Sequence, residues 1–134
     1  MESTQNSRPA LSLLVVEDDK VARVIMSVMI TRKFPDISVY DAEDGRMGLE
    51  LFKEYTPDIV ITDINMPEMD GIQMAGVIKS IKADTKFIVI TGYSDKNYLE
   101  RFGEIGFSDY TLKPIEFKKL FVMIEKCIAE VDAG

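Results

Sequence analysis

Histidine is absent from the 134 residues of this chain. It is the commonest general base and the commonest nitrogen ligand for metals in proteins, so any acid–base or metal chemistry must use other side chains. The chain also cannot carry a phosphohistidine of its own.

Cysteine occurs once, at Cys127, which excludes an internal disulfide. The residue lies in a helix-like apolar pattern near the C-terminus. Because free cysteine behaves as a small apolar residue, we expect Cys127 to pack on a helix face and not to act as a reactive thiol. Cysteine usage of this kind favours a cytoplasmic location.

Long apolar runs and excess positive charge are also missing. No run approaches the ~20 residues that a membrane helix needs, and residues 1–10 are polar, so we expect a flexible tail and no secretory signal. The net charge of −7 disfavours nucleic-acid binding, which requires a basic surface. Length and a hydrophobic fraction of 46% predict one globular domain.

Short apolar runs alternate with helix-like segments five times along the chain. We predict strands at 13–16, 37–40, 59–62, 87–90 and 107–112. The predicted helices lie at 20–33, from Asp44-Gly45 to Thr56-Pro57, and at 72–82, 94–102 and 115–131, with Ser94 as a candidate N-cap. Such alternation indicates a parallel sheet with helices on both faces.

Apolar residues at helical spacing predict the buried face of each helix. The predicted faces are Val21, Val24, Ile25, Val28 and Met29; Met47, Leu49, Leu51 and Phe52; Met74, Ala75, Ile78 and Ile81; Tyr98, Leu99 and Phe102; and Leu120, Phe121, Ile124 and Ile128. The fourth helix is short and polar, so we expect it to be the least stable.

Polar side chains stand where the predicted strands end, and ligands of open parallel sheets bind at such ends. The strand ends carry Glu17-Asp18-Asp19, Asp63, Thr91-Gly92 and Lys113-Pro114. Asp63 closes the four-residue apolar run that begins at Ile59, and we expect it to be half exposed. Solvated loop acids are the alternative interpretation of the acidic residues.

The acidic residues would converge if the first and third strands are neighbours. Two carboxylates about 4 Å apart repel by roughly 4 kcal/mol at an effective dielectric of 20. Without nearby cysteine or histidine, the oxygen donors suit Mg²⁺ and not Zn²⁺. The pattern therefore predicts a Mg²⁺ site.

Four motifs occur in one order: Val15-Val-Glu-Asp18, Asp63-x-Asn-Met-Pro67 with Asp70-Gly71, Ile90-Thr-Gly92 and Lys113-Pro114. Together they resemble the CheY-like receiver domain of two-component response regulators, over residues 11–131. The resemblance implies a flavodoxin-like (βα)5 fold, a doubly wound parallel sheet with strand order 2-1-3-4-5. Residues 132–134 would form a short C-terminal stub.

The resemblance also implies roles for the strand-end residues. Asp63 would be the phosphoacceptor, and Lys113 and Thr91 would contact the phosphoryl group. Asp18, Asp63 and the main-chain carbonyl of Asn65 would bind Mg²⁺, with Glu17 reaching the metal through water. By residue type, Asp19 is expected to cap the first helix.

Further residues match modulating positions in the family. Tyr110 corresponds to an aromatic switch, with packing against the fourth helix as the alternative, and Pro114 to a position that is often cis. Asn65 and Tyr93 would flank the path of the hydrolytic water. Because Tyr93 is bulky, we expect slow self-dephosphorylation.

The predicted function is a phosphorylation-dependent signalling switch that changes the surface of its fourth helix, fifth strand and fifth helix. It would promote its own phosphorylation and dephosphorylation without being an enzyme in the usual sense. The partners implied are a sensor histidine kinase or phosphotransfer protein, a downstream effector or fused output domain, and a possible second copy. A pseudo-receiver that never takes up phosphate and a Mg²⁺-dependent phosphatase are the alternatives.

Overall fold

The computed structural model describes residues 10–92 and 96–133. In these residues five strands alternate with five helices. The strands are β1 (Ser12–Val16), β2 (Ser38–Ala42), β3 (Ile59–Asp63), β4 (Lys86–Thr91) and β5 (Asp109–Leu112). The helices are α1 (Lys20–Lys33), α2 (Gly45–Tyr55), α3 (Gly71–Ile81), α4 (Lys96–Ile105) and α5 (Phe117–Ala133).

All strand pairs are parallel, and the sheet order is β2-β1-β3-β4-β5. The prediction of a doubly wound sheet with order 2-1-3-4-5 is confirmed. The chain leaves β1 towards one edge and later returns to build β3 on the other side of β1. This reversal brings the carboxyl ends of β1 and β3 together, with Val16 opposite Thr62.

Alternate side chains of the central strands enter two separate cores. Leu14, Val60 and Phe87 pack on the side of α2, α3 and α4, whereas Leu13 and Ile61 pack on the side of α1 and α5. All five are fully buried, and each such side chain contributes about 1.5–3 kcal/mol relative to exposure. Burial on both faces explains why these strands are continuous apolar runs.

Aspartates cap the first three helices. Asp19 accepts a hydrogen bond from the Ala22 N–H at 2.9 Å, which confirms its predicted role. Asp44 and Asp70 cap α2 and α3 in the same way. Each cap stabilises its helix by about 1 kcal/mol, and together they hold the loops that follow β1, β2 and β3.

The predicted buried face of α1 is wrong. Val21, Val24, Ile25 and Val28 are between 43% and 65% exposed, and Met29 is only partly buried. The residues of α1 that are fully buried against the sheet are Met26 and Ile30. Apolar residues occupy both sides of this helix, so periodicity alone selected the wrong stripe.

Smaller corrections concern the other helices. Met47, Ile81 and Tyr98 were expected to be buried but are 41%, 46% and 38% exposed. Helix α4 continues past Phe102 to Ile105 and is followed by Gly106, whose φ of 109° suits glycine. The candidate cap Ser94 lies outside the described residues.

Cys127 is 1% exposed on α5, as expected. Burial raises the pKa of its thiol to about 11, so the sulfur stays protonated at neutral pH. Separately, within residues 10–92 and 96–133 no helix has both the length and the apolar character needed to cross a lipid bilayer.

Candidate functional site

Asp63 is the last residue of β3, and it is only 3% exposed. The expectation of a half-exposed acid is wrong, because the chain folds back over the strand end. Ile64 and Met66 are buried directly after it, and the Gly71 N–H donates to the Ile64 carbonyl at 2.8 Å.

Gly71 makes this close turn possible. A Cβ at this position would overlap the carbonyl oxygen of Asp63. The start of α3 can therefore lie against the end of β3 only because residue 71 has no side chain. The Asp70-Gly71 motif thus has a structural reason, since Asp70 caps the helix and Gly71 permits the contact.

Three carboxylates meet at the ends of β1 and β3. Oxygen atoms of Glu17, Asp18 and Asp63 all lie within 4.8 Å of one another. Glu17 is 2% exposed and Asp18 is exposed. The predicted convergence is therefore present, although the buried member of the β1 pair is Glu17.

Lys113 approaches this acidic cluster from the end of β5. Its Nζ lies 2.5 Å from Oδ2 of Asp63, and its backbone N–H donates to the Thr91 carbonyl at 2.8 Å. The main chain of Lys113 is thus attached to β4 while its side chain reaches across to β3. The following peptide bond, Lys113–Pro114, is cis.

Burial and crowding shift the protonation of these groups. Burial raises the pKa of Glu17 to about 7, and the nearby Asp63 and Asp18 act in the same direction. Burial also raises the pKa of Asp63, although the hydrogen bond from Lys113 opposes the shift. Burial alone would lower the pKa of Lys113, but its hydrogen bond to Asp63 and the surrounding carboxylates raise it overall.

The donor set suits a hard divalent cation. Burial, with the neighbouring carboxylates acting in the same direction, raises the pKa values of Glu17 and Asp63 and so disfavours their ionised forms. A cation held by oxygen ligands relieves this repulsion, and Mg²⁺ prefers such ligands. The acidic cluster could therefore hold a metal ion.

The remaining predicted residues lie around the same edge. Thr91, at the end of β4, is 1% exposed and its Oγ1 donates to the Gly92 carbonyl at 3.2 Å. Asn65 is exposed in the loop two residues after Asp63. Tyr110 is 44% exposed and packs edge-to-face on Phe107 at 6.0 Å. Tyr93 lies outside the described residues.

A pocket of about 410 Å³ opens beside the acidic cluster, between α1 and the segment that follows β5. Its lining residues are Glu17, Asp19, Ala22, Ile25, Met26, Lys113, Pro114, Ile115 and Phe117. We define the exposed α1 stripe as Val21, Val24, Ile25 and Val28. Because Ile25 also lines the pocket, the stripe is continuous with it. An apolar surface thus adjoins the buried charges.

Sequence reasoning missed Arg23, which contacts the acidic loop. Its Nη1 donates to the Glu17 carbonyl at 2.9 Å. A usable signal was present, because Arg23 precedes Met26 and Ile30 by three and seven residues and so shares their sheet-facing side. That signal was hidden by the competing apolar stripe on α1.

Comparison with known proteins agrees with this geometry. Residues 13–125 match the family model of the response regulator receiver domain. The chain is 29% identical over 116 residues to the chemotaxis protein CheY of Bacillus subtilis, covering 87% of this chain and 96% of CheY. It is 32% identical over 117 residues to the transcriptional regulatory protein PdtaR of Mycobacterium tuberculosis, covering 87% of this chain and 56% of PdtaR.

Other relatives are much longer. The regulatory protein AtoC of Escherichia coli is 30% identical over 116 residues, which cover 87% of this chain but 24% of AtoC. The chain thus spans about a quarter of AtoC and about half of PdtaR.

Solved structures share the fold. The N-terminal domain of an uncharacterized protein from Wolinella succinogenes superposes with a TM-score of 0.86 at 38% identity, covering 92% of this chain and 98% of that one. A response regulator receiver domain protein from Clostridium thermocellum gives a TM-score of 0.84 at 25% identity, with the same coverage. With the matching family model and the order of strands, these findings lead to one conclusion: the chain belongs to the response regulator receiver domain family.

Proposed function

We propose that this protein is a phosphorylation-dependent switch in which Asp63 accepts a phosphoryl group from a phosphohistidine of a partner protein. One observation carries the proposal: Asp63 is buried beside two further carboxylates and is bound by the Nζ of Lys113. A purely structural ion pair does not need two additional acids. A phosphoacceptor that works with a divalent cation does.

The transfer exchanges one bond to phosphorus for another. A carboxylate oxygen of Asp63 attacks the phosphorus, a P–O bond forms, and the P–N bond to the partner's imidazole breaks with its electron pair going to nitrogen. Lys113 pairs with Asp63 and with the charge on the phosphoryl oxygens, which is the main requirement of such a step. Buried Thr91 offers a hydroxyl to one of those oxygens.

The residues that would hold Mg²⁺ are Asp18, Asp63 and the main-chain carbonyl of Asn65, with Glu17 acting through water. When bound, the ion would neutralise part of the phosphoryl charge. The oxygen donors and the raised pKa values of Glu17 and Asp63 support this assignment. Unlike a zinc site, the cluster brings no sulfur or imidazole ligand.

The pocket that Glu17 and Lys113 line, together with the exposed α1 stripe, indicates how the donor approaches. A histidine side chain can enter between α1 and the residues after Lys113, while its protein packs on the stripe. Exposed apolar surface of this kind marks sites of protein association. We assign the donor to the class of histidine kinases or phosphotransfer proteins, and a cytoplasmic location remains a prediction.

One experiment separates the proposal from its two alternatives. The protein is mixed with Mg²⁺ and a small phosphodonor, and both phosphorylated protein and released phosphate are measured. A switch forms one stable acyl phosphate per chain, a pseudo-receiver forms none, and a phosphatase turns over many donor molecules. Either of the last two results would reject the proposal.

We propose that the output is a change in the α4–β5–α5 surface. Drawing Thr91 towards the phosphoryl group would vacate space for the ring of Tyr110, which now lies 44% exposed. Reversing a population from 1:99 to 99:1 needs about 5.5 kcal/mol. Charge-assisted bonds from Thr91 and Lys113 of roughly 1.5–3 kcal/mol each, together with Mg²⁺, are of that order.

Amide NMR with and without a beryllofluoride phosphate mimic tests this output. We expect shifts in α4 and around Tyr110 in the wild type, and much smaller distant shifts in Thr91→Ala. Changes confined to the loops around Asp63 would contradict the coupling. The same holds for a distant response that is undiminished in Thr91→Ala.

The lifetime of the acyl phosphate stays a prediction, because Tyr93 lies outside the described residues. We expect Tyr93→Ala to speed dephosphorylation, and an unchanged decay rate would reject the steric explanation.

The effector is a fused output domain or a separate partner, since relatives such as AtoC are longer than this chain. A homodimer and the absence of direct nucleic-acid binding remain predictions too.

A further inference from the structure

The side chain of Arg23 joins α1 to the ends of β1 and β2. It is only 13% exposed. Its Nη1 donates to the main-chain carbonyl of Glu17 at 2.9 Å, and its Nε lies 3.6 Å from Oδ1 of Asp41. Burying a charged guanidinium costs desolvation free energy. The position of Arg23 therefore indicates a specific role for its two contacts.

The loop that it contacts is held from several directions. The Glu17 N–H donates to the Ala42 carbonyl at 3.1 Å, which fixes the loop to β2. The Asp19 N–H donates to the Glu17 side chain at 3.0 Å, and the Arg23 N–H donates to the Asp19 carbonyl at 2.9 Å. The bond from the guanidinium to the Glu17 carbonyl adds the restraint on the peptide unit that joins Glu17 to Asp18.

We infer that Arg23 is a positioning residue for the cation-binding carboxylates, an inference that rests on the proposed function. The orientation of the Glu17–Asp18 peptide sets the directions in which both side chains leave the main chain. Because these carboxylates repel each other and Asp63, they would separate if the peptide could rotate. Arg23 restrains it through the Glu17 carbonyl, without itself binding the metal or the phosphoryl group.

Arginine suits this task better than lysine. Its planar guanidinium holds its nitrogens in fixed directions, so Nη1 donates to the Glu17 carbonyl while Nε faces the Asp41 carboxylate as an ion pair. Asp41 in turn accepts a hydrogen bond from the Ser27 hydroxyl at 3.3 Å, so both partners of the guanidinium are themselves attached to secondary structure. Lysine would keep the positive charge, but its single nitrogen cannot contact both partners in fixed directions.

The test compares Mg²⁺ affinity, measured by calorimetry, in the wild type, Arg23→Lys and Asp41→Asn. Loss of groups that orient metal ligands typically weakens metal binding by 10–100-fold, so we expect about a tenfold weaker Kd for Arg23→Lys. Asp41 is half exposed and its replacement should preserve the fold. We expect a smaller loss for Asp41→Asn, roughly threefold. Arg32→Lys, in the last turn of the same helix, is the matched control and should bind Mg²⁺ normally.

Two further readouts separate positioning from general stability. In metal-free protein, hydrogen exchange at the amides of Asp18 and Asp19 should be faster in Arg23→Lys, with the central strands unchanged. The phosphorylation rate of this variant should approach the wild-type value once Mg²⁺ is raised to saturation. A variant that is slow at every Mg²⁺ concentration would contradict a positioning role.

Wild-type Mg²⁺ affinity in both Arg23→Lys and Asp41→Asn would overturn the inference while leaving the proposed function intact. A wild-type protein that itself fails to bind Mg²⁺ would overturn both. If Arg23→Lys does not fold, Asp41→Asn decides the matter, and an unchanged Kd in that variant would reject the role of the guanidinium.

Discussion

Two aspartates stand at opposite ends of β3 and have opposite surroundings. Asp58, directly before the strand, accepts hydrogen bonds from the Ser12 N–H at 3.0 Å and from Lys82 at 3.1 Å. Asp63, at the other end, receives Lys113 but also faces Glu17 and Asp18 within 4.8 Å. Among the described residues, the first acid is matched by its partners and the second lies in a surplus of negative charge.

The difference separates structural from functional charge. A carboxylate whose charge is balanced by hydrogen-bond donors stabilises the fold and is not activated for chemistry. Carboxylates that crowd each other in a buried place are costly, and proteins keep such arrangements where chemistry needs them. The contrast predicts that substitutions at the two ends of β3 will affect stability and phosphorylation in opposite ways.

Replacing the two lysines should give the largest contrast. Removing one group that stabilises developing charge costs about 100-fold or more in rate, so Lys113→Ala should slow phosphorylation by a small phosphodonor by that factor. Lys82→Ala should leave the rate unchanged but lower the free energy of unfolding. Rates come from mass spectrometry over time, and equal rates in both variants would remove the contrast.

Replacing the two aspartates should change stability in opposite directions. Asp58→Asn loses charge-assisted bonds at a partly buried site and should destabilise the protein by about 1–2 kcal/mol. Asp63→Asn loses the bond from Lys113, but it removes a buried charge that also faces Asp18, and should stabilise metal-free protein by on the order of 1 kcal/mol. Urea unfolding in the absence of divalent cations measures both changes in unfolding free energy. Destabilisation by Asp63→Asn would contradict an excess of negative charge around Asp63.

The pH dependence of stability should also reveal the excess of negative charge in the acidic cluster. Because the pKa of Glu17 is about 7 when folded, above the ordinary value near 4.5, the folded state binds more protons between these values. Metal-free protein should therefore lose stability as pH rises through that window. Glu17→Gln should flatten the profile, as followed by thermal melts.

Added Mg²⁺ should oppose that loss. The rise in melting temperature caused by millimolar Mg²⁺ should be larger at pH 8 than at pH 6, because protons and metal compete for the same carboxylates. Asp18→Asn should lose most of this rise. An equal effect of Mg²⁺ at both pH values, or none at saturation, would count against the site.

The smallest expected effect concerns the exposed α1 stripe. Ile25→Ser removes apolar surface that is 46% exposed, so it should leave stability and phosphorylation by a small donor almost unchanged. Transfer from the partner phosphohistidine protein should slow severalfold, in keeping with the loss of ~1 kcal/mol of apolar contact. Ile81→Ser, equally exposed on α3, is the control and should not slow transfer.

The sequence was sufficient for the fold because its signals are local and repeated. Apolar strands alternating with helix patterns predicted a parallel sheet with helices on both faces. The strand order that brings Asp18, Asp63 and Lys113 to one edge came from the resemblance to receiver domains. The failures have physical causes. α1 carries apolar residues on both sides, so Met26 and Ile30 could not be distinguished from the exposed stripe. The burial of Asp63 depends on the returning loop at Gly71, and the role of Arg23 on contacts with β1 and β2, which periodicity does not contain.

Locating the phosphoryl group tests the assignment of Asp63 as phosphoacceptor. Wild type, Asp63→Asn and Asp58→Asn are incubated with Mg²⁺ and a small phosphodonor, and the modified residue is identified by reductive trapping of the acyl phosphate and peptide mass spectrometry. We expect one phosphoryl group on Asp63 in the wild type and in Asp58→Asn, and none in Asp63→Asn. Persistent modification of Asp63→Asn, or modification at another aspartate in the wild type, would contradict it.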